Sequence, residues 1–156
     1  MQACEVRIKG IVQGVGFRPF IHRLVREHGL RGTIRNTSSG VTLELEGDEE
    51  AILSLLRRLP EEAPPLAVIE EITRKDIEPR NFGTFRIIES ERQTERNTLI
   101  SPDIAICRDC RRELEDPTDR RYHYPFINCT NCGPRFTIIE DVPYDRPKTS
   151  MRGFPM

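Results

Sequence analysis

The chain of 156 residues lacks a strong net charge, a long apolar run and an apolar leader. With 24 Lys and Arg against 25 Asp and Glu, no overall field draws it to nucleic acid or to a membrane surface. No apolar run approaches the ~20 residues that span a bilayer, which argues against a transmembrane helix. Because MQACEVRIKG at the start lacks the apolar core of a signal peptide, we expect a soluble cytoplasmic protein.

Large apolar side chains are scarce after residue 90, where four of the five cysteines lie. These cysteines form the pairs CRDC and CTNC, which are Cys107, Cys110, Cys129 and Cys132. A C-x2-C-x18-C-x2-C spacing is typical of a zinc site, and four thiolates leave no open coordination position. We therefore predict one structural zinc ion per chain, whose binding contributes ~10–16 kcal/mol of apparent folding free energy.

Disulfides and a redox pair are the alternatives for these cysteines. Disulfides fit poorly in a chain without a secretion signal, and a redox CxxC is normally single and at a helix start. His123 lies between the two pairs and is expected to be an ordinary surface residue, because four cysteines already complete a site. Cys4 shares strand parity with Val6 and Ile8, so we predict a small buried core residue there.

Residues 1–90 alternate between strand and helix patterns. Strands are predicted over 4–12, 66–77 and 82–89, with two more in RGTIRNTSSGVTLELEG joined by a turn at SSG. Helices are predicted over 19–28, with Pro19 in the first position and Gly29 ending it, and after the capping residue Asp48. The order β-α-β-β-α-β predicts an α+β, ferredoxin-like sandwich with two helices on one face of an antiparallel sheet.

Four parts follow from these patterns. We predict a first domain at 1–90, a polar linker at 91–102, a Cys4 zinc-ribbon or finger module at 103–142 and a C-terminal tail at 143–156.

The stretch GIVQGVGFRPF, residues 10–20, places three glycines, one arginine and a proline between two apolar segments, at the junction of the first strand and the first helix. Backbone N–H groups from Gln13 to Arg18 can converge there beside a helix N-terminus, which favours an anion. The Arg18 guanidinium can bind two phosphate oxygens at once. The loop is neither a P-loop nor a dinucleotide fingerprint, because no Gly-Lys-Ser/Thr follows and Pro19 replaces the third glycine. The pattern favours phosphate or carboxylate binding, with a merely tight turn as the alternative.

The same stretch resembles the signature of the acylphosphatase family, and GTIRNTSSGVTLELEG resembles its second block. The resemblance covers residues 3–90 and implies two catalytic residues, Arg18 and Asn36, with Asn36 directing water at the carbonyl carbon. It also implies that phosphate is bound by Gln13, Gly14, Val15, Gly16, Phe17 and Arg18. An acyl phosphate is already activated, so charge stabilisation and a positioned water can suffice. By pattern alone, Asn36 is also a plausible turn residue.

The later stretch around DPTDRRYHYPFINCTNCGPRFTI resembles the HypF family of carbamoyltransferases, which mature NiFe hydrogenases. With the first domain, this resemblance spans the whole chain. It implies carbamoyl phosphate as substrate, phosphate and carbamate as products, and a HypE-like acceptor reached through further domains. Because the sequence ends before the family's second zinc module, we expect a piece of a longer protein.

Two rival functions remain at this point. A non-catalytic module could bind phosphate without turnover and use its zinc site for assembly. Nucleic-acid binding is disfavoured because acidic residues interrupt the basic ones of CRDCRR and DRRYHYP, so no basic stripe forms; they are Asp109, Glu113, Glu115, Asp116 and Asp119.

Overall fold

The computed structural model describes residues 1–88, 105–129, 131–133, 138–141 and 146–153. Its first part is a five-stranded sheet with two helices packed on it. The elements are β1 (Gln2–Ile11), α1 (Phe17–Glu27), β2 (Arg31–Thr37), β3 (Gly40–Gly47), α2 (Glu49–Glu61), β4 (Val68–Asp76) and β5 (Phe85–Ile87). The strand order is β4-β1-β3-β2-β5. Neighbouring strands are antiparallel except β2 and β5, which run parallel.

The core lies between one face of this sheet and the two helices. Alternate residues of the strands point into it, and each helix adds an apolar stripe at helical spacing. The buried side chains include Cys4, Val6, Ile8, Ile34, Leu43 and Leu45 from the strands and Phe20, Ile21, Leu24, Ile52, Leu55 and Leu59 from the helices. Each large apolar side chain contributes about 1.5–3 kcal/mol by leaving water. The predicted ferredoxin-like sandwich and the buried position of Cys4 are confirmed.

The first helix begins earlier than its sequence pattern predicts. It starts at Phe17, with Gly16 as its N-cap, so Pro19 is the third helical residue rather than the first. Phe17 is fully buried, and its packing in the core extends the helix back to this residue. Pro19 is tolerated at the third position because the N–H groups of the first turn have no acceptor within the helix. The predicted end is confirmed: Gly29 has φ 64°, and the Leu30 N–H donates to the Val25 carbonyl at 3.0 Å.

Of the other predicted boundaries, one strand differs from expectation and one helix cap agrees with it. The strand predicted over 82–89 is shorter and spans Phe85–Ile87. Asp48 caps α2 as predicted, because its carboxylate accepts hydrogen bonds from the N–H groups of Glu50 at 3.0 Å and Ala51 at 3.3 Å. The linker predicted at 91–102 lies outside the described residues.

A buried carboxylate holds the segment between β4 and β5 against the sheet. Glu46, only 1% exposed, accepts hydrogen bonds from the N–H groups of Arg80 and Asn81 on Oε1 and of Phe82 on Oε2. The Asn81 and Phe82 bonds measure 3.0 and 2.9 Å. Charge-assisted hydrogen bonds of this kind are stronger than neutral ones.

We expect Glu46→Gln to lower the free energy of unfolding by about 1–3 kcal/mol. The substitution replaces one carboxylate oxygen by an N–H₂ group, which cannot accept a hydrogen bond from the backbone N–H groups that face it. Urea unfolding measures this, and Glu50→Gln on the exposed part of α2 is the control. Equal unfolding midpoints for the two variants would contradict the anchoring role.

The second part of the chain has a much smaller core. The helix α3 (Arg108–Glu115) follows its N-cap residue Cys107, and the buried apolar cluster here is formed by Cys110, Ile127 and Cys132. A short 3₁₀ helix spans Arg146–Lys148. Among the described residues, no helix is long and apolar enough to cross a membrane.

Candidate functional site

The strand order brings the glycine loop and Asn36 to the same edge of the sheet. Both β1 and β2 run antiparallel to β3, which lies between them, so their carboxyl ends point the same way. The loop follows β1, and Asn36 is the penultimate residue of β2. Topology thus places the two predicted groups on either side of the start of β3.

Among the described residues, the loop backbone leaves several N–H groups without an acceptor beside the start of α1. Gly14 and Gly16 have φ values of 69° and 75°, while the side chains of Val15 and Phe17 are buried. Within the described part of the chain, the N–H groups of Gly14, Val15 and Gly16 donate to no acceptor. The N-terminus of α1 also has no side-chain cap and no acidic residue in its first turn. Unpaired N–H groups beside the positive end of a helix dipole favour a bound anion.

Gln13 connects this loop to the β2–β3 hairpin. Its side-chain Nε2 donates to the carbonyl of Thr37 at 2.7 Å and to the carbonyl of Gly40 at 2.8 Å, in a buried position. The sequence pattern grouped Gln13 with the phosphate-binding residues and did not indicate this cross-link. In the sequence, Gln13 is only a polar residue that directly follows a strand, and this pattern does not indicate which residues it contacts.

Asn36 is almost completely buried, at 2% exposure. It pairs with Val41 of β3, and its side-chain Oδ1 accepts no hydrogen bond from any described residue. An unsatisfied buried amide oxygen costs about 1–3 kcal/mol. Such a group is retained where it contacts something other than the fold, such as a water or a ligand. Arg18, the second residue of α1, is half-buried.

The four cysteines after residue 105 form one cluster. Their sulfur atoms all lie within 4.8 Å of one another. The distances between Sγ atoms are 3.5 Å for Cys107 and Cys129, 3.7 Å for Cys110 and Cys132, and 3.8 Å for Cys129 and Cys132. A tetrahedral ion with metal–sulfur bonds of ~2.3 Å requires sulfur–sulfur distances of about 3.8 Å. The residues present therefore fit a four-coordinate metal ion.

The local backbone aims these sulfurs at a common point. Cys107 is the N-cap of α3, and its Sγ accepts from the Cys110 N–H at 3.5 Å. In the second pair, the Gly133 N–H donates to the Cys129 carbonyl at 2.7 Å, and Gly133 has φ 62°. Glycine adopts such a positive φ without the steric cost that a side chain would add.

Three thiols of the cluster, those of Cys110, Cys129 and Cys132, have pKa values shifted from the ordinary value of a cysteine. Burial raises the pKa of Cys110 and of Cys129. Burial also acts to raise the pKa of Cys132, but hydrogen bonds from the backbone groups of Cys107 and Cys129 and from neighbouring thiols outweigh it and lower this pKa to about 7. Four thiolates at these distances repel one another, so a cation is needed to hold them together.

Ordinary surface contacts surround the cluster. His123 is exposed, as predicted, and stacks on Tyr122 with a centroid distance of 3.9 Å. Arginines of this region pair with acidic neighbours in the ion pairs Arg111–Glu115, Arg112–Asp109 and Arg121–Glu113, with N···O distances of 2.9, 3.1 and 2.9 Å. These pairs offset the basic charge that nucleic acid would need.

Comparison with known proteins gives two family matches. The acylphosphatase family model matches residues 4–87, and the HypF finger model matches residues 106–139. The acylphosphatase of Thermotoga petrophila is 36% identical over 88 residues, which cover 56% of this chain and 97% of that protein.

Relatives that match along the whole chain are carbamoyltransferases. Carbamoyltransferase HypF2 of Cupriavidus necator is 49% identical over 153 residues, which cover 97% of this chain and 19% of that protein. The crystal structure of a full-length HypF in its phosphate- and nucleotide-bound form has a TM-score of 0.92 and 52% identity. The matched region covers 99% of this chain and 20% of the HypF chain in that crystal structure. The chain thus spans about one fifth of the length of these relatives. It belongs to the acylphosphatase family, with an acylphosphatase-like domain followed by a HypF finger as in the HypF carbamoyltransferases to which it is similar.

Proposed function

We propose that the glycine loop and Arg18 bind the phosphate group of an acyl phosphate. The unpaired N–H groups of Gly14, Val15 and Gly16 support this, because they offer donors to an anion at the positive end of α1. The Arg18 guanidinium adds a permanent positive charge and a planar pair of donors. The solved HypF relative in a phosphate-bound form gives the proposal further support.

We further propose that Asn36 holds the water that hydrolyses the acyl phosphate. The observation that carries this is the buried Oδ1 of Asn36, which accepts no hydrogen bond from the described residues. A water that donates to this oxygen keeps its lone pairs available for attack. The phosphate is a good leaving group for its acyl partner, so positioning and charge stabilisation suffice without a nucleophilic side chain.

The similarity to carbamoyltransferases suggests carbamoyl phosphate as the acyl phosphate. Water then converts it to phosphate and carbamate. Carbamate passes to the further domains that these relatives carry, and from there the carbamoyl group reaches a HypE-like acceptor protein. In this proposal residues 1–90 are the hydrolytic domain, and the module at 103–142 orients it.

The metal site is proposed to hold a single structural Zn²⁺ per chain. Cys107, Cys110, Cys129 and Cys132 supply all four ligands, which matches the preference of zinc for tetrahedral sulfur coordination. With no ligand position left open, the ion contributes folding free energy and takes no part in the hydrolysis.

Substitution of Arg18 tests the anion site. We expect Arg18→Ala to weaken the binding of inorganic phosphate by about tenfold or more, because a charged hydrogen-bonding group is worth ~1.5–3 kcal/mol. Arg18→Lys should also weaken binding, since an ammonium cannot replace two parallel N–H donors. Isothermal titration calorimetry measures the dissociation constants.

Arg26→Ala is the matched control, because it removes the same charge from the exposed, opposite end of α1. Equal phosphate affinity for Arg18→Ala and Arg26→Ala would contradict the proposed role of Arg18. A phosphate-binding chain without turnover would instead favour the non-catalytic module.

A further inference from the structure

The metal-binding turn of the finger lies directly against the proposed phosphate loop. A Cβ atom placed on Gly133 would lie 2.0 Å from the carbonyl oxygen of Gly14, 3.0 Å from its carbonyl carbon and 3.3 Å from its Cα. Real Cβ atoms do not approach other atoms so closely, so the two backbones touch with no side chain between them. Gly133 is buried, which leaves no water layer at this contact.

Each side of this contact belongs to a functional element. Gly133 follows the metal ligand Cys132 and is fixed by its hydrogen bond to the Cys129 carbonyl. On the other side, Gly14 is followed by the unpaired N–H groups of Val15 and Gly16. One residue therefore separates the metal cluster from the loop, and both elements depend on glycines with positive φ.

We propose that the metal-organised turn at 129–133 fixes the conformation of the phosphate loop, so that metal occupancy and anion affinity are coupled. This inference rests on the proposed phosphate site. Glycine has the largest backbone freedom of any residue, so a loop with Gly14 and Gly16 loses much entropy when it closes around an anion. A rigid turn behind the Gly14 carbonyl restricts that loop before the anion arrives, which lowers the cost of binding.

The direction and the reciprocity of the effect follow from this contact. The finger turn is ordered when its four sulfurs share a metal ion and loses that constraint when the ion leaves. Metal should therefore strengthen phosphate binding, and phosphate should strengthen metal retention by the same factor. Coupling between two sites of one protein is commonly fivefold or more. Gly133 acts here as a positioning residue, because it contacts the loop backbone and not the anion.

The test compares stoichiometrically zinc-loaded and zinc-free chain under reducing conditions, with inorganic phosphate as the probe. We expect the dissociation constant for phosphate to rise about fivefold or more when zinc is removed, while β1–β4 stay folded. In the reciprocal measurement, phosphate should shift the equilibrium of zinc between the chain and a competing chelator toward the chain by the same factor. The Val15 and Gly16 amide resonances should shift on zinc removal even without phosphate.

A variant isolates the contact from the metal itself. Gly133→Ala in its zinc-bound form should weaken phosphate binding, because its Cβ displaces Gly14. Gly29→Ala is the control, since Gly29 has nearly the same φ of 64° but nothing within 4 Å of a Cβ. It should cost stability and leave the phosphate affinity unchanged. If Gly133→Ala does not bind zinc, the coupling is tested on the wild-type chain alone, by phosphate affinity with and without zinc and by zinc retention with and without phosphate.

The outcomes separate this inference from the proposed function. If zinc-loaded and zinc-free chains bind phosphate within twofold of each other, the coupling is overturned while the phosphate site stands. If the zinc-loaded chain binds no phosphate, the proposed site is wrong. In that case the amide resonances of Val15 and Gly16 still test whether the finger orders the loop. If zinc removal does not shift them, this part of the inference is overturned as well.

Discussion

Asn36→Ala is expected to lower kcat for acyl phosphate hydrolysis by ~10²-fold or more, with little change in phosphate affinity. Asn36 positions the water, so its loss acts after the substrate is bound. The side-chain Oδ1 accepts no hydrogen bond from the described part of the protein, so its removal breaks no hydrogen bond there. Deleting an unsatisfied buried oxygen also removes a desolvation cost, which offsets part of the packing lost. A large loss of rate should thus accompany a small change in stability.

Thr33→Ala is the control for that experiment, because Thr33 lies on the same strand but faces the opposite side of the sheet. Both variants should match wild type by circular dichroism and by unfolding midpoint to within a few degrees. Near-normal turnover by Asn36→Ala would remove Asn36 from the mechanism.

The second large effect concerns the metal. Cys110→Ala should abolish stoichiometric zinc binding and unfold the finger, because the small core of Cys110, Ile127 and Cys132 cannot replace ~10–16 kcal/mol of apparent folding free energy. The first domain should stay folded, since its buried cluster includes no residue of the finger. Metal analysis and amide spectra measure the two effects separately.

Cys4→Ala is the matched control for the metal experiment. Cys4 is buried in the first domain, and burial raises the pKa of its thiol, so it is an inert core side chain. This variant should keep its full zinc content. Full zinc content in Cys110→Ala, or loss of zinc in Cys4→Ala, would contradict the assignment of the four ligands.

Much of the fold could be predicted because its determinants are local. Alternation at Cys4, Val6 and Ile8 predicts both the first strand and its buried face, and Asp48 and Gly29 mark helix ends through their own backbone chemistry. The start of α1 was misplaced because Pro19 is compatible with any position in the first turn, whereas burial of Phe17 depends on the assembled core.

The metal ligands could be predicted from the sequence, but the contacts between distant parts of the candidate site could not, because only the former depend on local sequence. The cysteine spacing indicates a tetrahedral metal site directly, since the ligand chemistry is contained in the motif. The hydrogen bonds of Gln13 to Thr37 and Gly40 and the contact of Gly133 with Gly14 join residues far apart in sequence. No periodicity or spacing encodes such contacts, which appear only when the chain is folded.

The most direct test of the account is phosphate release from carbamoyl phosphate by the zinc-loaded chain, measured against the spontaneous rate in buffer. We predict saturable release that is competitively inhibited by inorganic phosphate and slowed ~10²-fold in Asn36→Ala. A zinc-loaded chain that binds phosphate but releases none from carbamoyl phosphate above the spontaneous rate would contradict hydrolysis at this site.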